Sequence, residues 1–139
     1  MIVIKEIAAS DTWDIRHRVM WPSKPLSYVQ LAEDEEGLHF GLFYQDKMVS
    51  IVSLFKKERV FQFRKLATEV NVQGKGFASR LINHVFDYTK EQNGQKLWCN
   101  ARANKTAFYE RLGLQKTDKR FSKGGLDYVI MEKEIRSQI

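Results

Sequence analysis

At 139 residues, with 43% hydrophobic and 29% charged positions, the chain has the size of one domain (1–139) and the composition of an ordinary soluble globular protein. Its one cysteine, Cys99, rules out an internal disulfide framework, and no His and Cys cluster at zinc spacing offers a metal site. The formal charge of +6 raises the question of nucleic acid, but the 23 basic residues are scattered among 17 acidic ones with no dense block, so no nucleic-acid partner is expected.

In chain order, Ile2 to Ile7 alternates like a first strand, and Ser10-Asp11 caps a helix that continues through Trp21 and stops at Pro22. Pro22 to Gly37 holds both prolines and the acidic run Glu33-Asp34-Glu35-Glu36, with a short helix expected around Ser27 to Ala32. His39 to Tyr44 and Lys47 to Phe55 read as a hairpin turning at Gln45-Asp46, and Val60 to Val70 adds a third strand. The basic cluster Lys56-Lys57-Glu58-Arg59, together with Arg64 and Lys65, reads as a solvated hairpin tip. Phe77 to Lys90 repeats Phe77, Leu81, Ile82, Val85 and Phe86 along one helical face. Lys96 to Ala101 is a short apolar strand, and a short helix follows, capped by Asn104 and ended by Gly113. Gln115 to Asp127 reads as a polar loop and Tyr128 to Glu134 as the last strand. This interleaving predicts a mixed α/β sheet with helices on both faces. The N-terminus lacks the long apolar region of a signal peptide and no apolar run reaches the length of a membrane span, so a cytoplasmic protein without a membrane partner is expected.

The run Gln73-Gly74-Lys75-Gly76-Phe77-Ala78, followed by Ser79, links a strand to a helix. A Gly-rich turn there leaves backbone N–H groups unpaired at the positive end of the helix, which is a site for phosphate. Side chains at Gly74 or Gly76 would hold a bulky anion off the main chain. Gly-Lys-Ser/Thr is absent, which excludes the nucleoside-triphosphate P-loop, and so is Gly-x-Gly-x-x-Gly, because Ser79 stands three residues after Gly76. Taken alone, the run also fits a tight connecting turn.

What remains, Gln-x-x-Gly-x-Ala, resembles the Gln/Arg-x-x-Gly-x-Gly/Ala signature of the GNAT superfamily, the acetyl-CoA-dependent N-acetyltransferases. Downstream, Asn104-x-x-Ala107-Phe108-Tyr109-Glu110-Arg111-Leu112-Gly113-Leu114 resembles the second hallmark of that superfamily. Leu97-Trp98-Cys99-Asn100-Ala101-Arg102 and the early Arg16-His17-x-Val19-x-x-Pro22 are similar to small single-domain bacterial members. The resemblance implies a mostly antiparallel central sheet flanked by helices, with two splayed strands forming an acyl-CoA cleft. It implies acetyl-CoA as co-substrate without a metal, and a primary amine, on a small molecule or a peptide, as acceptor.

The same resemblance implies roles for residues. The main chain at Leu66, Ala67 and Thr68 would pair with the pantetheine arm as if it were another strand, and an amide there would polarise the thioester carbonyl. Gln73, Gly74, Lys75, Gly76, Phe77, Ala78 and Ser79 would hold the pyrophosphate, and Asn104 and Phe108 would form the opposite wall. Tyr109 stands where many members keep a general acid for the leaving thiolate. Glu69 is the weaker candidate for the base, with the run Glu33 to Glu36 as another source. Cys99, without a histidine nearby in sequence, reads as a buried strand residue rather than a nucleophile. Trp13, Trp21 and Tyr28 either wall an acceptor pocket or belong to the core, and the acidic run either attracts a cationic amine or is a solvated loop. A non-catalytic acyl-CoA-binding module and a basic nucleic-acid-binding domain are the alternatives to an enzyme. A homodimer is the default expectation for assembly.

Overall fold

The computed structural model describes residues 1–135. Seven strands form one sheet in the order β1-β2-β3-β4-β5-β7-β6. They are β1 (Ile2–Ile7), β2 (Leu38–Tyr44), β3 (Lys47–Lys57), β4 (Val60–Thr68), β5 (Lys96–Arg102), β6 (Gln115–Lys123) and β7 (Leu126–Glu134). Every neighbouring pair is antiparallel except β4 and β5. A parallel pair needs a crossover, and α2 (Phe77–Glu91) provides it. The order matches the mixed α/β expectation, with one correction: the polar stretch after Gly113 is not a loop. Gln115–Lys123 is an edge strand paired with β7, almost wholly exposed, which is why it carries no apolar pattern.

Local chemistry explains the element ends. The β2–β3 turn places Gln45 and Asp46 at φ 51° and 67°, the twist that a two-residue hairpin requires. Asn93, at φ 59°, ends α2: its N–H reaches Lys90 O at 3.1 Å and the Gly94 N–H reaches Thr89 O at 2.9 Å, which satisfies the last carbonyls. The expected helix through Trp21 is wound unevenly. A 3-10 turn (Ala9–Thr12) leads into α1 (Trp13–Ile15) and then a π-helical stretch (Arg16–Met20). The short helix expected around Ser27 is a 3-10 turn at Leu26–Val29, with another at Asp34–Glu36. Beyond β5, a 3-10 turn (Ala103–Lys105) precedes α3 (Thr106–Arg111), so Asn104 lies within the turn and Lys105 is the cap position.

The core lies mainly between α2 and the sheet, where Leu81, Ile82 and Val85 are sealed against Leu42, Val52, Leu97 and Met131. Phe86 is only half-buried, with the Lys133 ammonium 3.7 Å from its ring centre. On the opposite face a smaller cluster joins Ile15 of α1 to Ile51 and Ala67.

Between that cluster and the loop 22–37 sits a buried polar network. Arg16, wholly buried, donates to both oxygens of Asp34 at 2.9 and 3.0 Å, to Val29 O at 2.9 Å and to Ser53 Oγ at 2.8 Å. Trp13 Nε1 and the Leu31 N–H also donate to Asp34, each at 3.0 Å. His39 bridges Ser53 Oγ and Asp34 O at 2.7 and 2.8 Å. Burial pushes the Asp34 carboxyl up, but the hydrogen bonds from Arg16, Leu31 and Trp13 outweigh it and leave it below the usual range.

Truncating the sealed Leu81 to alanine should cost about 2–5 kcal/mol in denaturant unfolding. Removing one partner of the buried pair, as in Asp34→Ala, should cost about 3–5 kcal/mol. Because the folded-state pKa of Asp34 is lowered, its contribution is fully present above about pH 4 and is lost as pH falls further. Acid unfolding of the wild type against Asp34→Ala checks this: the stability gap should narrow below about pH 4.

Candidate active site

β4 and β5 begin as neighbours and then part. They pair only from Val60–Lys96 to Gln62–Trp98, although β4 runs on to Thr68 and β5 to Arg102. The other edge of each strand is taken by β3 and β7 respectively. From Phe63 to Thr68, β4 therefore presents an unpaired edge to a wedge-shaped gap. Within this stretch the β3–β4 register slips by one, and Lys65 takes the left-handed φ of 59°. A bulge of this kind bends a strand and increases its local twist. Leu66, Ala67 and Thr68 follow the bulge on that free edge, with Ala67 and Thr68 held from behind by Ser50 Oγ at 3.2 and 2.7 Å.

The Gly-rich turn lies past the open end of the wedge. After β4 the chain makes a 3-10 turn (Val70–Val72), and the Gln73 side chain donates to Thr68 O at 2.9 Å, tying the loop to the strand. Gly74 and Gly76 both have φ 84°, and a Cβ at either would meet nothing within 4 Å, so the space above them is open. The first helical bond of α2 runs from the Arg80 N–H to Gly76 O at 3.1 Å, and no side chain caps the helix. The amides of Phe77, Ala78 and Ser79 thus have no helical partner. Open space, glycine-only backbone and free amides at the head of a 15-residue helix fit a phosphate group. Lys75 is exposed beside them.

Tyr109 lies at the floor of the wedge. Its ring is 5.8 Å from that of Phe63 on β4 and 5.0 Å from Phe108, which makes an edge contact. Burial pushes its phenol well above the ordinary value, Cys99 adds to that rise and Arg102 opposes it. The hydroxyl is therefore protonated at neutral pH. Cys99 is buried in the core cluster and burial pushes its thiol up to about 12, the state of an unreactive strand residue. Asn104 is exposed in the turn before α3.

Glu69, immediately after β4, is buried and both its oxygens accept from Arg18 Nη1, at 2.6 and 2.7 Å. Arg18 also reaches Asp14 at 3.1 Å, so the trio pins the stretch Arg16–Met20 to the end of β4. Glu69 and Arg18 border a shallow polar pocket with Lys47 and Asn71. Of the acidic run, Asp34 is consumed by Arg16 and Glu33 pairs with Arg64, which leaves Glu35 and Glu36 exposed. Trp13 is bound into the Asp34 network, and Trp21 meets Tyr28 edge-on at 5.2 Å.

Sequence reasoning missed Arg16 and Arg102, and it put Lys65 with Arg64 in a solvated hairpin tip, whereas Lys65 is half-buried on the bulge of β4 and Arg64 is paired with Glu33. Arg16 had a signal, since it falls on the face of the helical stretch shared by Thr12 and Ile15, both buried. Lys65 had one too: the alternation Phe61, Phe63 breaks at the adjacent charges Arg64-Lys65, where the bulge lies.

Comparison with known proteins agrees with this geometry. An N-acetyltransferase of Bacillus subtilis (strain 168), YitI, is 29% identical over 147 residues, covering 99% of both chains. The ribosomal-protein-S18-alanine N-acetyltransferase of Escherichia coli shares the fold with a TM-score of 0.81 and 21% identity, over 97% of this chain and 94% of that one. A GNAT family acetyltransferase of Elizabethkingia anophelis, solved with acetyl-CoA bound, gives a TM-score of 0.77 and 17% identity, over 96% and 98%. Residues 21–135 match the acetyltransferase (GNAT) domain, and the chain belongs to that family.

Proposed function

We propose that the protein transfers an acetyl group from acetyl-CoA to a primary amine by direct attack within a ternary complex. The observation that carries this reading is the alignment of two features along β4: an unpaired strand edge in the wedge and, beyond it, the glycine turn with the uncapped amides of Phe77 to Ser79. Main-chain groups of Leu66, Ala67 and Thr68 would take the pantetheine arm, and the glycine turn would take the pyrophosphate. That a solved neighbour of the same fold holds acetyl-CoA supports the co-substrate.

The amine nitrogen attacks the thioester carbonyl, the C–S bond breaks and the sulfur receives the proton of the Tyr109 hydroxyl, while the nitrogen's proton passes to solvent water, from which the Tyr109 phenolate is reprotonated. Tyr109 is protonated throughout the neutral range and so holds a proton to donate; burial makes it a weaker acid, so the basicity of the departing thiolate drives the transfer. Phe108 shapes the wall beside it. A base role for Glu69 would require Arg18 to release one of its oxygens. Mass spectrometry of an amine collection incubated with acetyl-CoA separates a transferase from a module that only binds acyl-CoA. The basic residues near the β3–β4 turn do not favour a nucleic-acid surface: Arg59 is spent on Asn93 O at 2.8 Å and Arg64 on Glu33.

Gly76→Ala should raise the CoA dissociation constant by roughly tenfold or more, by crowding the anion, while costing only about 1–2 kcal/mol of stability for the left-handed backbone. Calorimetry and thermal unfolding on the same sample separate the two effects. Tyr109→Phe should lower kcat on the order of a hundredfold and leave CoA affinity unchanged. A phenylalanine variant with full turnover would remove Tyr109 from the reaction.

A further inference from the structure

The second face of the sheet is covered over only half its width. The helical stretch from Ala9 to Met20 packs on β2, β3 and β4. On β5, Leu97, Cys99 and Ala101 belong to the α2 core, so Trp98, Asn100 and Arg102 face the other way. Asn100 is exposed and the other two are half-buried. On β7, Tyr128 stands in register with Arg102 and stacks on Phe121 with ring centres 5.1 Å apart. This half-open face adjoins the wedge in which the thioester would sit.

Its charge is one-sided at the open end of the wedge. Glu132 and Glu134 share the face, but they stand opposite Trp98 and Lys96 where β4 and β5 still pair, and Glu132 is spent on Lys96 at 3.5 Å. Lys65 is half-buried on the bulge of β4, and the charged groups that weigh most on it, Arg64, Arg16, Lys123 and Arg102, are positive. Arg16 and Arg64 are spent on Asp34 and Glu33. Among the described residues no carboxylate pairs with Lys65, Arg102 or Lys123. Asp127, in register with Ser122 on the adjoining hairpin, accepts the Ser122 hydroxyl. A partly desolvated ammonium ringed by like charges is unfavourable until an anion arrives. Lys65 also precedes Leu66 to Thr68, whereas the phosphate loop follows them, so the two cationic regions lie on opposite sides of the arm-binding stretch.

We propose that the acceptor is an amine that also carries an anionic group, a carboxylate or phosphate, and that Lys65 and Arg102 bind this group over the half-open face while Phe121 and Tyr128 border it. The inference rests on the acetyl-transfer reading and names its substrate class. An ammonium and a planar guanidinium together suit either anion, and the guanidinium does so through two parallel hydrogen bonds. A purely cationic amine would meet repulsion here.

The test is titration calorimetry on CoA-loaded protein with matched amines: amino acids against their decarboxylated amines, and O-phosphoethanolamine against ethanolamine. The anionic member should bind roughly tenfold or more tightly. Serine against O-phosphoethanolamine decides between carboxylate and phosphate. Lys65→Met, which keeps the length of the side chain and the strain at that φ, should erase the preference without changing CoA affinity. Arg102→Gln should do the same. Equal or tighter binding of the decarboxylated amines, no binding by any anionic member, or a loss of CoA affinity in Lys65→Met overturns the proposal. CoA binding by the wild type is read first, and its absence would bring down the acetyl-transfer reading itself, a signal distinct from amine discrimination.

Discussion

The parting of β4 from β5 is the constraint on which the rest of the molecule depends. A parallel pair in the middle of a sheet would ordinarily zip along its whole length, because unpaired backbone groups are costly when buried. Here pairing stops at Gln62–Trp98, the chain bulges at Lys65, and the rings of Phe63 and Tyr109 occupy the base of the opening. The sheet stays intact because each strand keeps its outer partner, β3 on one side and β7 on the other. What is left is a strand edge that an extended amide-bearing molecule can complete, followed at once by a turn whose glycines expose more amides. One interruption of the ladder thus aligns two kinds of backbone donor.

The first third of the chain holds the other side of that opening. Arg16 and Asp34 clamp the helical stretch to the loop 22–37, and Arg18 with Glu69 clamps the same stretch to the end of β4. Of the acidic run, Asp34 is neutralised by Arg16 and Glu33 by Arg64, so only Glu35 and Glu36 remain as exposed charge. Among the described residues no carboxylate pairs with Lys65, Arg102 or Lys123, and these cations set the sign of the half-open face where it adjoins the wedge.

Much of this could be read from the residues. The period of Leu81, Ile82 and Val85 gave α2, and the glycines at 74 and 76 marked the turn because only they accept φ 84° without strain. β6 could not be read, since an exposed edge strand such as Gln115–Lys123 buries neither face and leaves no period. The uneven winding from Ala9 to Met20 was also hidden. It follows from contacts made far away in sequence, Arg16 to Asp34 and Arg18 to Glu69, which no local propensity encodes. The Gly-rich turn was legible because its requirement is local. The charge balance of the acceptor side was not, because it depends on which carboxylates are already paired in three dimensions.

The most direct measurement is an amide NMR titration of the labelled protein with acetyl-CoA. The account predicts that the largest shifts fall on Leu66 to Thr68 and on Gly74 to Ser79, with Tyr109 perturbed at the base of the wedge. Saturable binding that leaves those amides unmoved, or no binding at all, would contradict it.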